Sequence, residues 1–275
     1  MVRQPGSHLS PYQALVCPDL PPRDPLGALN GKAYKAFLKP TDSRRGKASY
    51  VPCTITDRGH VLHSGREQRV HYWLHLQPGV IDWREQYPFG NQEVISRYLD
   101  AGKRIPRSKV PTFDVVYTLA ATAEKPIRYG VISVKEDGEF EKSDVQRRFA
   151  RERDFCLRNG WRYRIMTDEL ITKAVGAACR DIVLWAGRSN LASDMDRAKE
   201  LAVIVRDLAD GRSSLEQVVL HAASILGYSR ADAYRYFSVA SVSKLIEFDI
   251  SKLVDLSNGV DHSKGINLHA PFSLL

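Results

Sequence analysis

Two neighbouring apolar segments constrain the fold of this chain more than any other feature. Residues 111–119, PTFDVVYTL, and residues 129–137, YGVISVKED, each have the composition of a short strand. The first carries one carboxylate, Asp114, and the second carries one ammonium, Lys135. An unpaired charge inside a sheet is costly. A salt bridge between these two residues is therefore the simplest structural interpretation.

Strand alternation predicts which way these residues point. Successive side chains of a strand face opposite sides of the sheet. Alternation places Phe113, Val115 and Tyr117 on one face, and Asp114 with Val116 on the other.

Helices are predicted on both sides of this strand pair. Ser64 is a natural N-cap residue, and Glu67 follows it at the spacing of a capping box. A second helix is predicted within residues 142–160, where an inward stripe recurs at helical spacing. Its members are Val145, Phe149, Glu152 and Cys156. With further strands over residues 80–89 and 161–168, the element order predicts an α/β fold with a mixed sheet.

The pattern changes after about residue 170, where amphipathic helices predominate. Two of them are joined by a tight turn at residues 227–229 and precede a predicted strand at 245–251, LIEFDIS. This order is typical of a winged helix-turn-helix, and a plain helical interaction domain fits the periodicity equally well. The predicted organisation has four parts: a flexible segment at 1–28, an α/β domain at 29–172, a helical winged-helix-like domain at 173–262, and a tail at 263–275.

Charge favours an anionic partner for the chain. Among 275 residues, 40 are Lys or Arg and 32 are Asp or Glu, which gives a formal net charge of +8. Basic residues concentrate at 97–109 and 142–164. Nucleic acid is the commonest partner of such a chain, and an ordinary solvated surface is the alternative for each cluster. Without a long apolar run or a signal-peptide pattern, we expect a soluble cytosolic protein.

Several functional classes lack their sequence signatures. The four cysteines form no Cys-x-x-Cys pair, which argues against a zinc ribbon or thioredoxin-type site. His71 and His75 have the spacing of a metal pair, but zinc needs three or four ligands. The chain has neither a phosphate-binding Gly-x-x-x-x-Gly-Lys loop nor a Gly-x-Ser-x-Gly nucleophile elbow.

The inward charges suggest a metal-dependent site instead. Helical spacing turns Glu67 and Glu152 toward the core, as strand position does for Asp114 and Lys135. Converging carboxylates are the hard oxygen ligands that Mg²⁺ prefers, and a lysine beside them can stabilise charge on a phosphate. Structural alternatives remain open, because Glu67 can serve only as a cap partner and Glu152 can pair with Arg148.

The same residues form part of a known nuclease pattern. The PD-(D/E)xK motif has an aspartate near a strand start and an acid-x-lysine on the next strand. Here Pro111 and Asp114 supply the first part, and Lys135 supplies the last. Ser133 stands where the second acid is usual, and its neutral hydroxyl is a weaker metal ligand than a carboxylate.

The surrounding sequence resembles the TnsA family, the endonuclease subunit of heteromeric bacterial transposases. The strongest element is the phrase DWREQYP at residues 82–88. It lies within a set that matches the family's motifs in order, and the resemblance covers about residues 30–170. The matching positions are Glu67, Asp82 to Pro88, Asp114, Val134-Lys135, Glu152 and Thr167-Asp168.

This resemblance implies a restriction-endonuclease-like fold that cuts the 5′ strands at transposon ends. It implies work on double-stranded DNA with a TnsB-type transposase and a TnsC-type AAA+ ATPase. Mg²⁺, with Mn²⁺ as a substitute, would be bound by Glu67, Asp114 and the carbonyl of Val134. Lys135 would be the catalytic lysine, and Glu152 would support the site from its helix.

Two other functions fit the sequence. One is a non-enzymatic DNA-binding or adaptor protein, in which the inward charges are structural. The other is a stand-alone PD-(D/E)xK nuclease of restriction or repair type, which would cut DNA without a partner.

Overall fold

The computed structural model describes residues 20–39, 41, 48–90, 92–103, 106, 110–187, 190–253 and 271–273. These residues form a mixed α/β structure with seven α-helices. The helices are α1 (Gly65–Leu76), α2 (Gln92–Asp100), α3 (Ser143–Arg158), α4 (Lys173–Gly187), α5 (Leu191–Leu208), α6 (Leu215–Ile225) and α7 (Arg230–Val242). The strands are β1 (Ser49–Cys53), β2 (Arg58–Leu62), β3 (Val80–Pro88), β4 (Thr112–Leu119), β5 (Arg128–Val134), β6 (Arg162–Met166), β7 (Asp210–Ser214) and β8 (Pro271–Ser273). Within this part of the chain, no helix is both long and apolar enough to cross a bilayer.

The central sheet has the strand order β3-β4-β5-β6. Its first two pairings are antiparallel, and β5 pairs with β6 in parallel. A parallel pair needs a crossover connection, and α3 provides it. The mixed sheet predicted from the element order is therefore confirmed.

The two faces of this sheet bury separate hydrophobic clusters. On one face, Trp83, Val115 and Ile132 pack with residues of α1 and α4. On the other face, Phe113 packs with Cys156 of α3 and with the N-terminal segment. The sheet therefore lies between α1 and α3, the two helices that carry Glu67 and Glu152.

Simple alternation fails in β4. Phe113 and Val116 belong to the same cluster, whereas Val115 belongs to the cluster on the other face. The predicted grouping of Phe113 with Val115 is therefore wrong. Beside the break, Gln86 of β3 has a φ of 49°, in the left-handed region that a regular strand does not use. Gln86 and Asp114 come together in the wall of one cavity as a result.

The C-terminal half is helical, but its predicted strand at 245–251 is wrong. The end of this segment enters a short 3₁₀ turn, Ile250–Leu253. Ile246 and Phe248 are buried, and the ring of Phe248 stacks 5.6 Å from Phe237 of α7. The alternating apolar residues thus pack against a helix without a neighbouring strand, so the period of two does not indicate a ladder here. The paired strands of this half are β7 and β8.

Helix α4 joins the two halves of the chain. This helix was not predicted from the sequence, and it packs against both α1 and α7. Gly176 of α4 lies so close to the side chain of Arg69 that an added Cβ would sit 2.4 Å from its Cγ. One cluster of buried residues extends from Val51 to Phe272, across the predicted boundary at 172–173, which stays a prediction.

The packed part of the chain includes residues before the predicted limit of the flexible segment at residue 28. Residues 1–19 of the predicted flexible part lie outside the described residues. Asp24 is only 5 % exposed and binds Arg84 in the sheet. Of the predicted tail, 263–275, only 271–273 is described, as β8.

Candidate active site

A cavity of about 870 Å³ opens between the start of α1, strands β3 to β5 and helix α3. Its wall contains all the residues predicted for catalysis or metal binding, although they are spread over 86 positions of sequence. These residues are Glu67, Asp114, Val134, Lys135 and Glu152. We call this cavity the cleft. The fold thus brings the predicted residues together; their chemical roles are taken up below.

Glu67 is buried at the start of α1. Ser64 caps the helix by accepting a hydrogen bond from the Glu67 amide at 3.1 Å. The Glu67 carboxylate does not complete a capping box, because it accepts from the amide of His63 at 3.0 Å and from the hydroxyl of Ser64. Gln86 donates a further hydrogen bond at 3.2 Å. The cap role predicted for Glu67 therefore explains only part of its contacts.

The ionisation of Glu67 is unfavourable in this position. Burial raises the pKa of Glu67 to about 7, and the negative charge of Asp114 contributes to the shift. The two carboxylates are close enough to repel each other. A divalent cation between them would relieve this repulsion.

Asp114 and Lys135 do not form the salt bridge that strand position suggests. One Asp114 oxygen accepts from the amide of Val134 at 2.7 Å, and the other accepts from Arg148 at 3.0 Å. The Lys135 ammonium lies 3.7 Å from Glu139 instead. Lys135 follows the end of β5, partly exposed on the wall of the cleft, so the ammonium can reach a ligand there.

Glu152 is fully buried and held by three donors. Arg148 binds one oxygen at 2.5 Å, which confirms the pairing predicted from their spacing along the helix. Ser133 and Tyr163 donate to the other oxygen, the tyrosine at 2.9 Å. The Ser133 hydroxyl is thus directed at Glu152. The α3 carboxylate lies beside the strand position where the nuclease pattern expects an acid.

Arg148 is the main site residue that sequence reasoning underrated. Its guanidinium bridges Asp114 on β4 and Glu152 on α3, and the charge of Asp114 is the largest cause that raises the pKa of Arg148. Helical spacing reveals the contact with Glu152. The contact with Asp114 joins positions 34 apart, and no local pattern signals it.

The DWREQYP phrase contributes mainly to a second, closed group of charges. Arg84 is completely buried, binds Asp24 at 2.5 Å and donates to Thr118 at 3.2 Å. Tyr87 donates to the same Asp24 oxygen at 2.7 Å. In this phrase, Gln86 is the residue that lines the cleft.

Glu85 of the same phrase is also paired. It binds Arg58 through two hydrogen bonds of 2.9 and 2.7 Å, and His60 lies 2.8 Å away. Burial opposes its ionisation, but the contact with His60 and the charge and hydrogen bonds of Arg58 prevail and lower the pKa of Glu85. Burial lowers the pKa of His60 itself, so Arg58 supplies the positive charge at neutral pH. We call Asp24, Arg58, His60, Arg84 and Glu85 the enclosed cluster.

Other predicted positions have structural contacts. Asp168 of the Thr-Asp pair binds Arg66 at 2.7 Å and also binds Arg69, which ties α1 to the end of β6. His71 accepts from the Trp83 indole at 3.2 Å, and the His75 ring bonds to the carbonyl of His71 at 2.9 Å. The metal-like spacing of these two histidines therefore serves packing around Trp83.

The chemistry of the cleft fits Mg²⁺. Glu67, Asp114 and the carbonyl of Val134 offer hard oxygen donors, and Mg²⁺ often takes one or two carboxylates while keeping several waters. Within the described residues, no group of three or more His, Cys, Asp or Glu side chains is arranged to hold a metal. The donor set thus suits Mg²⁺ and does not suit zinc.

Comparison with protein families matches residues 77–168 to the model described as TnsA-like endonuclease N terminal. This part of the chain is similar to the N-terminal domain of TnsA-type endonucleases. The match confirms the predicted resemblance and includes Asp114, Lys135 and Glu152. Glu67 lies just outside the matched range. A search of curated proteins found no match. The TnsA-like domain indicates a nuclease of a Tn7-type transposase.

Proposed function

We propose that this protein is a Mg²⁺-dependent endonuclease of the TnsA type that cuts the 5′ strands at transposon ends. It would act in the bacterial cytoplasm with a TnsB-type transposase and a TnsC-type AAA+ ATPase. The observation that carries the proposal is the meeting of Glu67, Asp114 and Lys135 in one cleft of a TnsA-like domain. The reaction is hydrolysis of a phosphodiester to a 3′-hydroxyl and a 5′-phosphate.

Each cleft residue has a proposed role in this reaction. Glu67, Asp114 and the Val134 carbonyl hold Mg²⁺, which when bound supplies positive charge at the phosphate and makes water a better nucleophile. The Lys135 ammonium is partly exposed and donates to a phosphate oxygen or orients the attacking water. Asp114 is fixed for its role by the Val134 amide and by Arg148.

Glu152 has a positioning role in this scheme. It is fully buried, and its oxygens are already engaged by Arg148, Ser133 and Tyr163. It fixes Arg148, which in turn fixes Asp114. Ser133 supports Glu152 and is not assigned as a metal ligand.

The arrangement of elements also supports a finer description of the fold. We propose that the sheet with α1 and α3 is a restriction-endonuclease-like core. The C-terminal half suits a helical partner-binding domain, because most of α7 is buried. In α7, Arg230 and Arg235 are both paired with carboxylates, which leaves this helix little free positive charge for DNA.

Strand-specific cleavage tests the proposal. The protein would be mixed with its TnsB-type and TnsC-type partners, transposon-end DNA and Mg²⁺. Asp114→Ala is expected to abolish 5′-strand cuts while 3′-strand cuts by the partner continue. Persistence of the 5′ cuts would contradict the assignment, and cutting of DNA without any partner would favour a stand-alone nuclease.

Binding of the metal separates the enzyme from an adaptor protein. Isothermal titration of the protein with Mg²⁺ or Mn²⁺, in the presence of DNA, is expected to show binding that Asp114→Ala removes. Absence of binding to the unaltered protein would favour a non-enzymatic role.

A further inference from the structure

The arginines of α3 fall into two groups by their contacts. Arg148 and Arg158 are bound by carboxylates, Arg158 by Asp154 at 2.8 Å. Arg147, Arg151 and Arg153 are exposed, and within the described residues no hydrogen bond or ion pair engages them. Their guanidinium groups are therefore available to a partner.

Two of these three arginines, Arg147 and Arg151, lie beside the cleft. Arg151 lines the cleft together with Asp114 and Glu152. It also lines a second, shallow cavity on the surface of α3, which Arg147 shares. Side chains four positions apart on a helix are neighbours, with Cβ atoms about 5–6 Å apart. We call Arg147 and Arg151, with the surface between them, the α3 groove.

We infer that the α3 groove binds the sugar-phosphate backbone of double-stranded DNA beside the cleft, an inference that rests on the proposed nuclease function. A phosphodiester that enters the cleft approaches the carboxylates of Glu67, Asp114 and Glu152, which repel it. Cations beside the cleft offset this repulsion. Guanidinium groups suit the task because they remain charged and bind phosphate oxygens in a fork geometry.

The position of the groove favours DNA over an acidic protein as its partner. Arg151 lines both cavities, so a chain bound in the groove lies next to the cleft. A nucleic-acid strand presents evenly repeated phosphates along such a groove, and arginine contacts to phosphate need no particular base sequence.

Arg153 on the same helix provides a matched control. It is exposed, and no hydrogen bond or ion pair is recorded for it in the described part of the chain. It lines neither cavity. Arg147→Gln, Arg151→Gln and Arg153→Gln each remove one charge from an exposed helical site, and glutamine retains good helix propensity.

The experiment measures binding of the full chain to a fluorescent transposon-end duplex by anisotropy, in EDTA and at several NaCl concentrations. Loss of one phosphate contact is expected to weaken binding about eight-fold at 0.1 M salt and to reduce the slope of log K against log salt by about 0.9. We expect these changes for R147Q and for R151Q. R153Q is expected to change the dissociation constant less than about two-fold, because long-range charge effects are screened in salt.

The outcomes separate this inference from the nuclease assignment. Equal losses of DNA affinity in R151Q and R153Q would overturn the proposal that the α3 groove binds DNA. Absence of DNA binding by the unaltered protein would overturn it as well. Parallel cleavage assays with partners and Mg²⁺ test the nuclease by itself. If DNA binding depends on Arg147 and Arg151 but no 5′ cuts occur, the DNA-binding role of the α3 groove is supported and the nuclease assignment is rejected. If R147Q and R151Q bind DNA as the unaltered protein does and 5′ cuts are normal, only the DNA-binding role of the α3 groove is rejected.

Discussion

Strand β3 lies between the enclosed cluster and the cleft, and one buried carboxylate of each, Glu85 and Glu67, is satisfied in an opposite way. In the enclosed cluster, Glu85 is bound by Arg58 and His60, and Asp24 is bound by Arg84. In the cleft, the Glu67 carboxylate accepts hydrogen bonds only from neutral donors among the described residues. The pKa of Glu85 is lowered, whereas that of Glu67 is raised to about 7. A cation stabilises the ionised form of Glu85, whereas none binds Glu67 among the described residues, as expected of a carboxylate proposed to hold a metal ion.

The largest expected effect is on the enclosed cluster. Arg84→Met leaves Asp24 buried without its cation, which is expected to cost about 3–5 kcal/mol in the free energy of unfolding. Urea denaturation followed by circular dichroism measures the change. A loss below about 1 kcal/mol would show that the enclosed cluster does not stabilise the fold in the way its contacts suggest.

Glu67→Gln is expected to raise the free energy of unfolding at high pH, opposite to the effect of Arg84→Met. The folded pKa of Glu67 is raised above its unfolded value of about 4.5, so the protonated form is the stable one. Relative to the variant, the unaltered protein keeps its full stability below about pH 4.5 and loses it as the pH rises through about 7. The difference should reach about 3 kcal/mol by pH 8, in EDTA.

Denaturation of both proteins at pH 5 and pH 8 measures this difference. The same variant should lose 5′-strand cleavage, because the amide is a weaker ligand for Mg²⁺. Full cleavage by Glu67→Gln would reduce Glu67 to a helix-capping role.

Ser133→Ala should have a moderate effect on stability and little effect on metal binding. It removes one donor to Glu152, which keeps Arg148 and Tyr163. The expected cost is about 1 kcal/mol in the free energy of unfolding. Mg²⁺ titration should give an affinity within about two-fold of the unaltered protein. A larger loss of affinity would make Ser133 a direct participant in the metal site.

Lys135→Met is expected to have the smallest effect on stability. Its ion pair with Glu139 is 3.7 Å long and partly exposed, and such pairs contribute about 0–1 kcal/mol. Cleavage should nevertheless fall by about 100-fold or more, because a lost charge contact in the transition state has that magnitude. Unchanged cleavage would remove Lys135 from the reaction.

Local patterns predicted most of the site because its elements are locally encoded. Ser64 and the apolar period fix α1, and the period of α3 places Glu152 inward. The two apolar segments fix β4 and β5. These three features predict that Glu67, Asp114 and Glu152 turn inward and converge.

The rest depended on contacts that no period encodes. Arg148 reaches Asp114 across the sheet, and Arg84 reaches Asp24 across 60 positions. The break in alternation at Asp114 accompanies the left-handed conformation of Gln86 on the neighbouring strand. The strand predicted at 245–251 is wrong because its alternating apolar residues are buried against a helix and, among the described residues, do not pair with another strand.

The shared core of the two halves restricts how this chain can be divided. Helix α4 begins at the predicted boundary and covers the apolar side of α1, the helix that presents Glu67 to the cleft. A fragment that ends at residue 172 would expose Val70 and Leu74 to water and aggregate, although it contains every residue proposed for the reaction. Exchange of C-terminal regions between related proteins therefore succeeds only when α4 is matched to the α1 it covers, so the two helices are expected to change together during evolution.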